Sequence, residues 1–377
     1  MTARAFSSEP LVSDEGEVLL VRRQALSDTT VHALTPAEWD ILAQQFRDVV
    51  PEQTAVYACA RWGEKRVRCL SVTQSGQLIG GAVLIDFTVP LVRRGLSVIK
   101  FGPLWRRQQE PDDAARLANV VSALQQQVAI EDKRCLVINP LPDPLAEGRM
   151  ADVLQAHGFW HCGSTADPAR YLVNLGIDLD AQRASLHGKW RYNLKKAQSN
   201  RLDVGVEEGE AGLSAFMALY DAMLSRKRFH DRSAIDALPA MLQADVPSLR
   251  PEIVIARLDG RPTAGAVISR AGDRAIYLFG ASDERALPAK AGYALHWWIV
   301  ERLTGSGCLW YDLGGAEGDA GLAQFKRQFV GARGVITKRL DEFAFAADPA
   351  SRLLAKAAFT LREAKRRWPG RAEATSG

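Results

Sequence analysis

The sequence predicts two α/β domains (α+β in their order) set in tandem, each a mixed sheet flanked by helices. Three observations lead there. With 377 residues, 47% of them hydrophobic, the chain exceeds the size at which a single core keeps growing, so it divides into two cores. The order helix, three meander strands, helix, strand runs through it twice, which favours a duplicated unit over two unrelated domains. Finally, Ser75-Gly-Gln-Leu-Ile-Gly-Gly-Ala-Val83 aligns without a gap to Asp259-Gly-Arg-Pro-Thr-Ala-Gly-Ala-Val267, an offset of 184 residues with four identities. Each copy reads as a hairpin turn entering a strand.

In chain order, Thr35 caps a helix predicted over 35–49, with Glu38 three residues on and Trp39, Leu42 and Phe46 on one face. Residues 66–74, 77–88 and 96–101 are rich in Val, Ile and Leu and predict an antiparallel meander. Pro111-Asp112 opens a helix carrying Leu117, Val120, Val121, Leu124 and Val128 at helical spacing, and 134–139 is the next strand. The first domain spans 1–165. The second, 166–340, begins with a strand at 170–175 and helices at 189–200 and 210–227. Strands at 252–258, 263–270 and 274–280 follow, then a helix at 289–304 that is apolar on nearly every side, and a strand at 308–312. Residues 341–377 form a C-terminal strand, a helix and a basic tail.

No stretch reaches the roughly 18 consecutive apolar residues of a spanning helix, and residues 1–16 are polar and acidic, so a cytoplasmic protein without stable membrane insertion is expected. Two domains that cover their own apolar faces suggest a monomer. The five cysteines, Cys59, Cys69, Cys135, Cys162 and Cys308, are scattered with no C-x-x-C pair, which predicts free thiols and no metal. A net charge of +4 does not define a nucleic-acid binder, and the placement of the positive charge matters more.

The chain has no G-x-S-x-G elbow, H-E-x-x-H pair, P-loop or G-x-G-x-x-G turn. Serine hydrolase, zinc protease, P-loop and dinucleotide-binding readings lose their main support, which leaves chemistry in which the protein positions substrates. Lys189-Trp-Arg-Tyr-Asn-Leu-Lys-Lys-Ala197 gathers Arg191, Lys195 and Lys196 with two aromatics, suited to RNA phosphates or to a solvated helix face. Ser225-Arg-Lys-Arg-Phe-His230 closes the next helix, where cations also gain from the helix dipole. Tyr311-Asp-Leu-Gly-Gly315 is a strand end opening into glycines, and Gly321-Leu-Ala-Gln-Phe-Lys-Arg-Gln-Phe329 follows with Leu322, Phe325 and Phe329 on one face and Lys326 beside them. A Gly-rich turn at the carboxyl end of a strand is where α/β proteins form crevices, and a lysine there can stabilise an oxyanion or a phosphate. The plain alternative is a turn, an amphipathic helix and a surface lysine.

In order and wording these segments resemble the Fem (FemAB-type) aminoacyltransferases, whose two domains are GNAT-like. The basic stretch 189–197, Tyr220 to Phe229, Tyr277-Leu-Phe-Gly-Ala-Ser282 and Tyr311-Asp-Leu-Gly-Gly with Gly-Leu-Ala-Gln-Phe-Lys are similar to the family's second domain, and Phe101-Gly-Pro-Leu-Trp105 to a strand end of its first. The likeness covers most of 36–340. It implies an enzyme that moves an amino acid from aminoacyl-tRNA to an amine of a cell-wall precursor or small molecule, forming an amide with no cofactor beyond the charged tRNA. It further implies Lys326 as the catalytic lysine near the transferred carbonyl, and Arg226, with Arg228 two residues on, as a contact to substrate phosphate. Tyr277 would line the acceptor site, Phe325, Gly314 and Gly315 would bind substrate, and Arg191, Lys195 and Lys196 would face tRNA. The family's phosphate-holding lysine of the first domain and the long helical hairpin of many members have no counterpart here. Asp312, Glu317 and Asp319 stand near the glycine turn as carboxylates able to accept a proton, or as structural acceptors.

Two other classes compete. An acyl-CoA-dependent N-acyltransferase of the same fold, acting in polysaccharide or small-molecule biosynthesis, needs a pyrophosphate cradle, for which Lys290-Ala-Gly-Tyr-Ala294 is the candidate. A non-catalytic RNA-binding protein would use the basic helices, with Leu361 to Arg371 as a further basic segment, but no RNA-binding motif accompanies them.

Overall fold

Apolar runs between tight turns build two seven-stranded sheets, the first mainly from the N-terminal half of the chain and the second mainly from the C-terminal half. The computed structural model describes residues 28–88, 94–146, 148–164, 169–227, 234–316, 319–337 and 341–367. Residues 1–16, Arg228, Glu317 and the tail from residue 368 lie outside them.

The first sheet comprises β1 (Thr29–Leu34), β2 (Val67–Gln74), β3 (Gln77–Thr88), β4 (Gly95–Lys100), β5 (Cys135–Asn139) and β6 (Trp160–Ser164). One face packs Leu70, Val72, Leu84, Ile99 and Leu136 on Leu117, Val120 and Leu124 of the helix Ala114–Gln125. The other packs Cys69 and Val83 on Trp39, Phe46 and Ala58. Thr35 forms the predicted capping box with Glu38, but its helix ends at Ala43, short of the predicted 49. Beyond it, Phe46 makes an isolated bridge to Arg107 and is buried outside any helix. A helix at Ala55–Trp62, capped by Thr54, was not anticipated, and the helix expected to open at Pro111-Asp112 starts at Ala114, with Asp113 as its cap.

The second sheet contains β7 (Tyr171–Asn174), β8 (Leu202–Glu207), β9 (Glu252–Leu258), β10 (Arg261–Ser269), β11 (Arg274–Ser282), β12 (Trp310–Asp312) and β13 (Val335–Ile336). A last strand, β14 (Asp341–Phe345), goes back to the first sheet. The orders are β1-β2-β3-β4-β5-β14-β6 and β13-β7-β12-β11-β10-β9-β8. The C-terminal segment is therefore part of the first core. Phe343 pairs with Ile138 and His161 and is buried, while Glu342, 5% exposed, takes hydrogen bonds from Asn139 and Arg362. The helix Pro349–Arg367 then buries Ala355 beside Cys135 and Val137. In each sheet one strand next to the edge comes from the opposite end of the chain's passage through that sheet: β14 between β5 and β6, β7 between β12 and β13.

The internal repeat corresponds to the same hairpin built twice. Ser75-Gly76 links β2 to β3 with φ of 49° and 76°, and Asp259-Gly260 links β9 to β10 with the same two values. Both central residues are left-handed, as two-residue turns matched to strand twist require, so Gly at the second position is a conformational choice.

Candidate functional site at the parted strands

β11 and β12 run parallel but pair over only three residues, Arg274↔Trp310, Ala275↔Tyr311 and Ile276↔Asp312. Past them β11 continues to Ser282, whereas β12 stops and the chain turns through Leu313 and Gly314, the latter at φ 71°. A register shift between Val267 and Ile268 on β10 leaves Leu278 of β11 as an extra residue, which bends the strand. The result is a wedge at the carboxyl ends of two parallel strands, where such sheets form crevices.

Lys326 reaches this wedge from the helix Ala320–Val330. The helix is started by Asp319, whose carboxylate accepts from Leu322 N at 3.0 Å, and is anchored by Phe329, which stacks on Trp190 at 4.4 Å between centroids. Lys326 is 5% exposed. Its Nζ donates to Leu313 O at 2.7 Å and to Gly315 O, and lies 5.9 Å from the Tyr277 ring centre. The glycine turn thus serves the lysine directly: Gly314 supplies the left-handed bend, and Gly315 a carbonyl.

Behind the lysine, Tyr277 and His296 meet edge to face at 5.0 Å, and His296 Nδ1 is 3.0 Å from the Tyr311 hydroxyl. Burial first, then the Lys326 charge, push the His296 pKa down to about 3, so the imidazole is neutral at physiological pH. Burial pushes Tyr277 up to about 12. Neither group exchanges protons readily near neutrality. Asp312, wholly buried, is gripped by Arg170 Nε at 2.7 Å, Arg274 Nη1 at 3.4 Å and Gly314 N at 2.9 Å. Burial acts to raise its pKa, but the two guanidinium groups outweigh it and hold the carboxyl below its ordinary range. It is a committed acceptor and a poor base. Asp319 is a helix cap, and Glu317 lies outside the described residues.

The other predicted residues fall in two places. Arg226 reaches the carboxyl end of β11, its Nη2 3.1 Å from Ser282 O, and Phe325 packs against Tyr293 and His296 beside the lysine. Arg228 lies outside the described residues. On the helix Gly188–Ser199, Trp190, Asn193, Leu194 and Ala197 are buried, and Arg191, Lys195 and Lys196 are exposed on the outer face. Arg191 folds back onto Ala184 O and Leu186 O at 2.8 and 2.6 Å, so its guanidinium closes the preceding helix, and Lys196 sits 4.7 Å from the Tyr192 ring. Sequence reasoning missed His296 and the pair Arg170 and Arg274 around Asp312. The available signal was a histidine set between Leu295 and Trp297 in the apolar middle of the helix predicted at 289–304.

Among the described residues no helix is long and apolar enough to cross a membrane, and the five cysteines are free. Residues 184–327 match the acetyltransferase (GNAT) domain family. No curated protein matches the sequence. Among solved structures, FemX superposes with a TM-score of 0.69 at 17% identity, covering 86% of this chain and 100% of FemX. The C-terminal DUF2156 domain of a protein assigned as a lysylphosphatidylglycerol synthetase from Agrobacterium fabrum gives 0.54 at 15% identity, over 86% of this chain and 96% of that one. A conserved protein of unknown function from Bacteroides thetaiotaomicron gives 0.55 at 11% identity, over 83% and 98%. The parted parallel strands therefore lie within the segment that matches the acetyltransferase (GNAT) domain family, and the chain as a whole has a tandem GNAT-like fold similar to that of FemX.

Proposed function

We propose that the second domain transfers an aminoacyl group from aminoacyl-tRNA to an amine of a cell-wall precursor or small molecule. The observation that carries this reading is the Lys326 ammonium fixed at the wedge by Leu313 O and Gly315 O. An aminoacyl ester is already activated, so the amine attacks its carbonyl directly once both are held in attack geometry. The new C–N bond forms, the ester C–O bond breaks, the ribose oxygen takes a proton and the amine loses one. No covalent enzyme intermediate is required, in keeping with the absence of a nucleophile motif. The developing oxyanion is stabilised by the Lys326 charge and by N–H groups along the edge of β11 past Ile276, beside which β12 no longer runs. A neutral His296 behind the lysine adds no second positive charge there. Arg226 at the end of β11 suits a phosphate of the donor or acceptor, and Lys195 and Lys196 suit the tRNA backbone.

The second reading is an acyl-CoA-dependent N-acyltransferase. It is favoured by the family matched over 184–327 and by the helix Ala291–Leu303, which follows Lys290 and has space around Gly292 near its start.

Incubating the protein with radiolabelled aminoacyl-tRNA and, separately, with labelled acetyl-CoA, each with a mixed amine extract, separates the two. Amide product from charged tRNA is the expected result. Product from acetyl-CoA alone assigns the protein to the acyl-CoA class.

A further inference from the structure

The first domain holds a cavity of about 460 Å³ at the carboxyl ends of β4 and β5, the place that corresponds by strand order to the wedge of the second domain. Phe101 to Pro103 and Pro140 to Pro142 leave those two strands into its wall, and Asp273-Arg274 and Val335 to Thr337 of the second domain close it from the other side. Its lining is largely apolar, including Val50, Phe101, Trp105, Leu117, Met150 and Phe343. A volume of this size, with an apolar lining and a few polar groups, is that of a small-molecule site.

The polar groups decide what fits. Every arginine in the wall already has its carboxylate or carbonyl. Arg106 binds Asp143 and, at 2.8 Å, Asp112, and Arg149 binds Asp112 at 3.1 Å. Arg274 donates to Pro142 O at 2.6 Å and pairs with Asp312. Asp48 accepts the backbone N–H groups of Trp105 and Arg106 at 3.1 and 3.2 Å. Asp273 differs. It lines the cavity, and among the described residues its carboxylate receives no hydrogen bond; only its backbone is bonded, the N–H to Arg47 O and the carbonyl to Leu309 N. A largely buried carboxylate without a donor is costly, and a ligand that brings the donor recovers that cost. An anionic ligand would meet arginines that must first leave their partners, and would lie against the Asp273 carboxylate.

We infer that this cavity is a second ligand site, separate from the transfer wedge, that takes a compact molecule with an apolar body and one ammonium group, the ammonium pairing with Asp273. Burial raises the Asp273 carboxyl above its ordinary range although Arg106, Arg274 and Arg47 pull it down, in keeping with a group that gains from a further cation. The site does not depend on the transfer reading, since Lys326 and Tyr277 take no part in it. It is linked to the wedge by Arg274, which lines the cavity and grips Asp312, the residue before the Leu313 carbonyl that holds Lys326.

Isothermal titration of the full chain with 2-phenylethylamine, 2-phenylethanol and phenylacetate, three probes of one size and different charge, tests this. The amine should bind at least roughly tenfold more tightly than either of the others. Asp273→Asn should remove that preference, and Met150→Trp, which fills the cavity, should weaken the binding of the amine. Should Asp273→Asn fail to fold, the wild-type series decides alone. Equal or tighter binding of phenylacetate, no binding of the amine at about 10 mM, or an undiminished preference in folded Asp273→Asn would each overturn the inference.

Discussion

The two sheets share an order of strands but differ where their parallel strands meet. In the first, β4 and β5 stay paired over five residues, from Leu96↔Cys135 to Lys100↔Asn139, and Phe101 N adds a further bond to Asn139 O at 2.7 Å. In the second, β11 and β12 pair over three and separate. The helix that follows β12 sends a lysine into the gap, whereas the one that follows β5, Arg149–Ala156, contains no lysine. The two frameworks are similar, and small local differences (a bulge at Leu278, a left-handed Gly314 and one lysine) give one of them an open gap that holds a lysine while the other keeps a closed seam above an apolar cavity. This is the general pattern of one fold hosting different sites.

The largest effect should come from the charge that braces the gap. Asp312→Ala removes the carboxylate that Arg170 and Arg274 share, and a broken buried ion pair costs about 3–5 kcal/mol. Hydrogen exchange should accelerate in β11 and β12 while β4 and β5 keep their protection. Equal loss in both sheets would mean that the domains share one cooperative core and that the contrast drawn between them is superficial.

A smaller effect, opposite in sign between the halves, concerns pH. In the first domain, burial pushes the Asp48 pKa up to about 7, well above the ordinary carboxylate range. Its folded pKa lies above its unfolded one, so its contribution to stability is fully present below about 4 and is lost as pH rises through about 7. Asp312 has its folded pKa depressed, so its contribution is present above the ordinary carboxylate range and is lost only as pH falls through the lower folded value. Melting curves between pH 8 and pH 5 should therefore show a gain on acidification that shrinks in Asp48→Asn, the remainder coming from Asp40, which burial pushes up to about 6. An unchanged pH dependence in that variant would remove Asp48 from the account.

Much of this was legible in the residues. The hairpins at Ser75-Gly76 and Asp259-Gly260 were readable because left-handed turns demand particular residues, and the meanders because β-branched runs bounded by turns have few other uses. The tandem GNAT-like fold followed from the resemblance and from the repeat. Less local features were not readable. Nothing in Asp341–Phe345 announces that it pairs with β5 and β6, since strand order depends on contacts about 200 residues away in sequence. The cluster of Arg170, Arg274 and Asp312 joins three distant segments, and no spacing rule connects them. Arg191 looked like a free cation, but its use as a helix closure depends on where Ala184 and Leu186 end the preceding helix.

The central claim is that the transfer site is the parted pair β11 and β12 with Lys326 in it. Its most direct test is the single-turnover transfer rate of Lys326→Met, folded by near-ultraviolet circular dichroism, against that of the wild-type protein, with the donor that the tRNA and acetyl-CoA assay identifies. Loss of a preorganised charge at a developing oxyanion predicts a rate roughly 10²–10³-fold lower. A folded Lys326→Met protein that transfers at the wild-type rate would contradict the claim and move the search for the reactive centre away from the wedge.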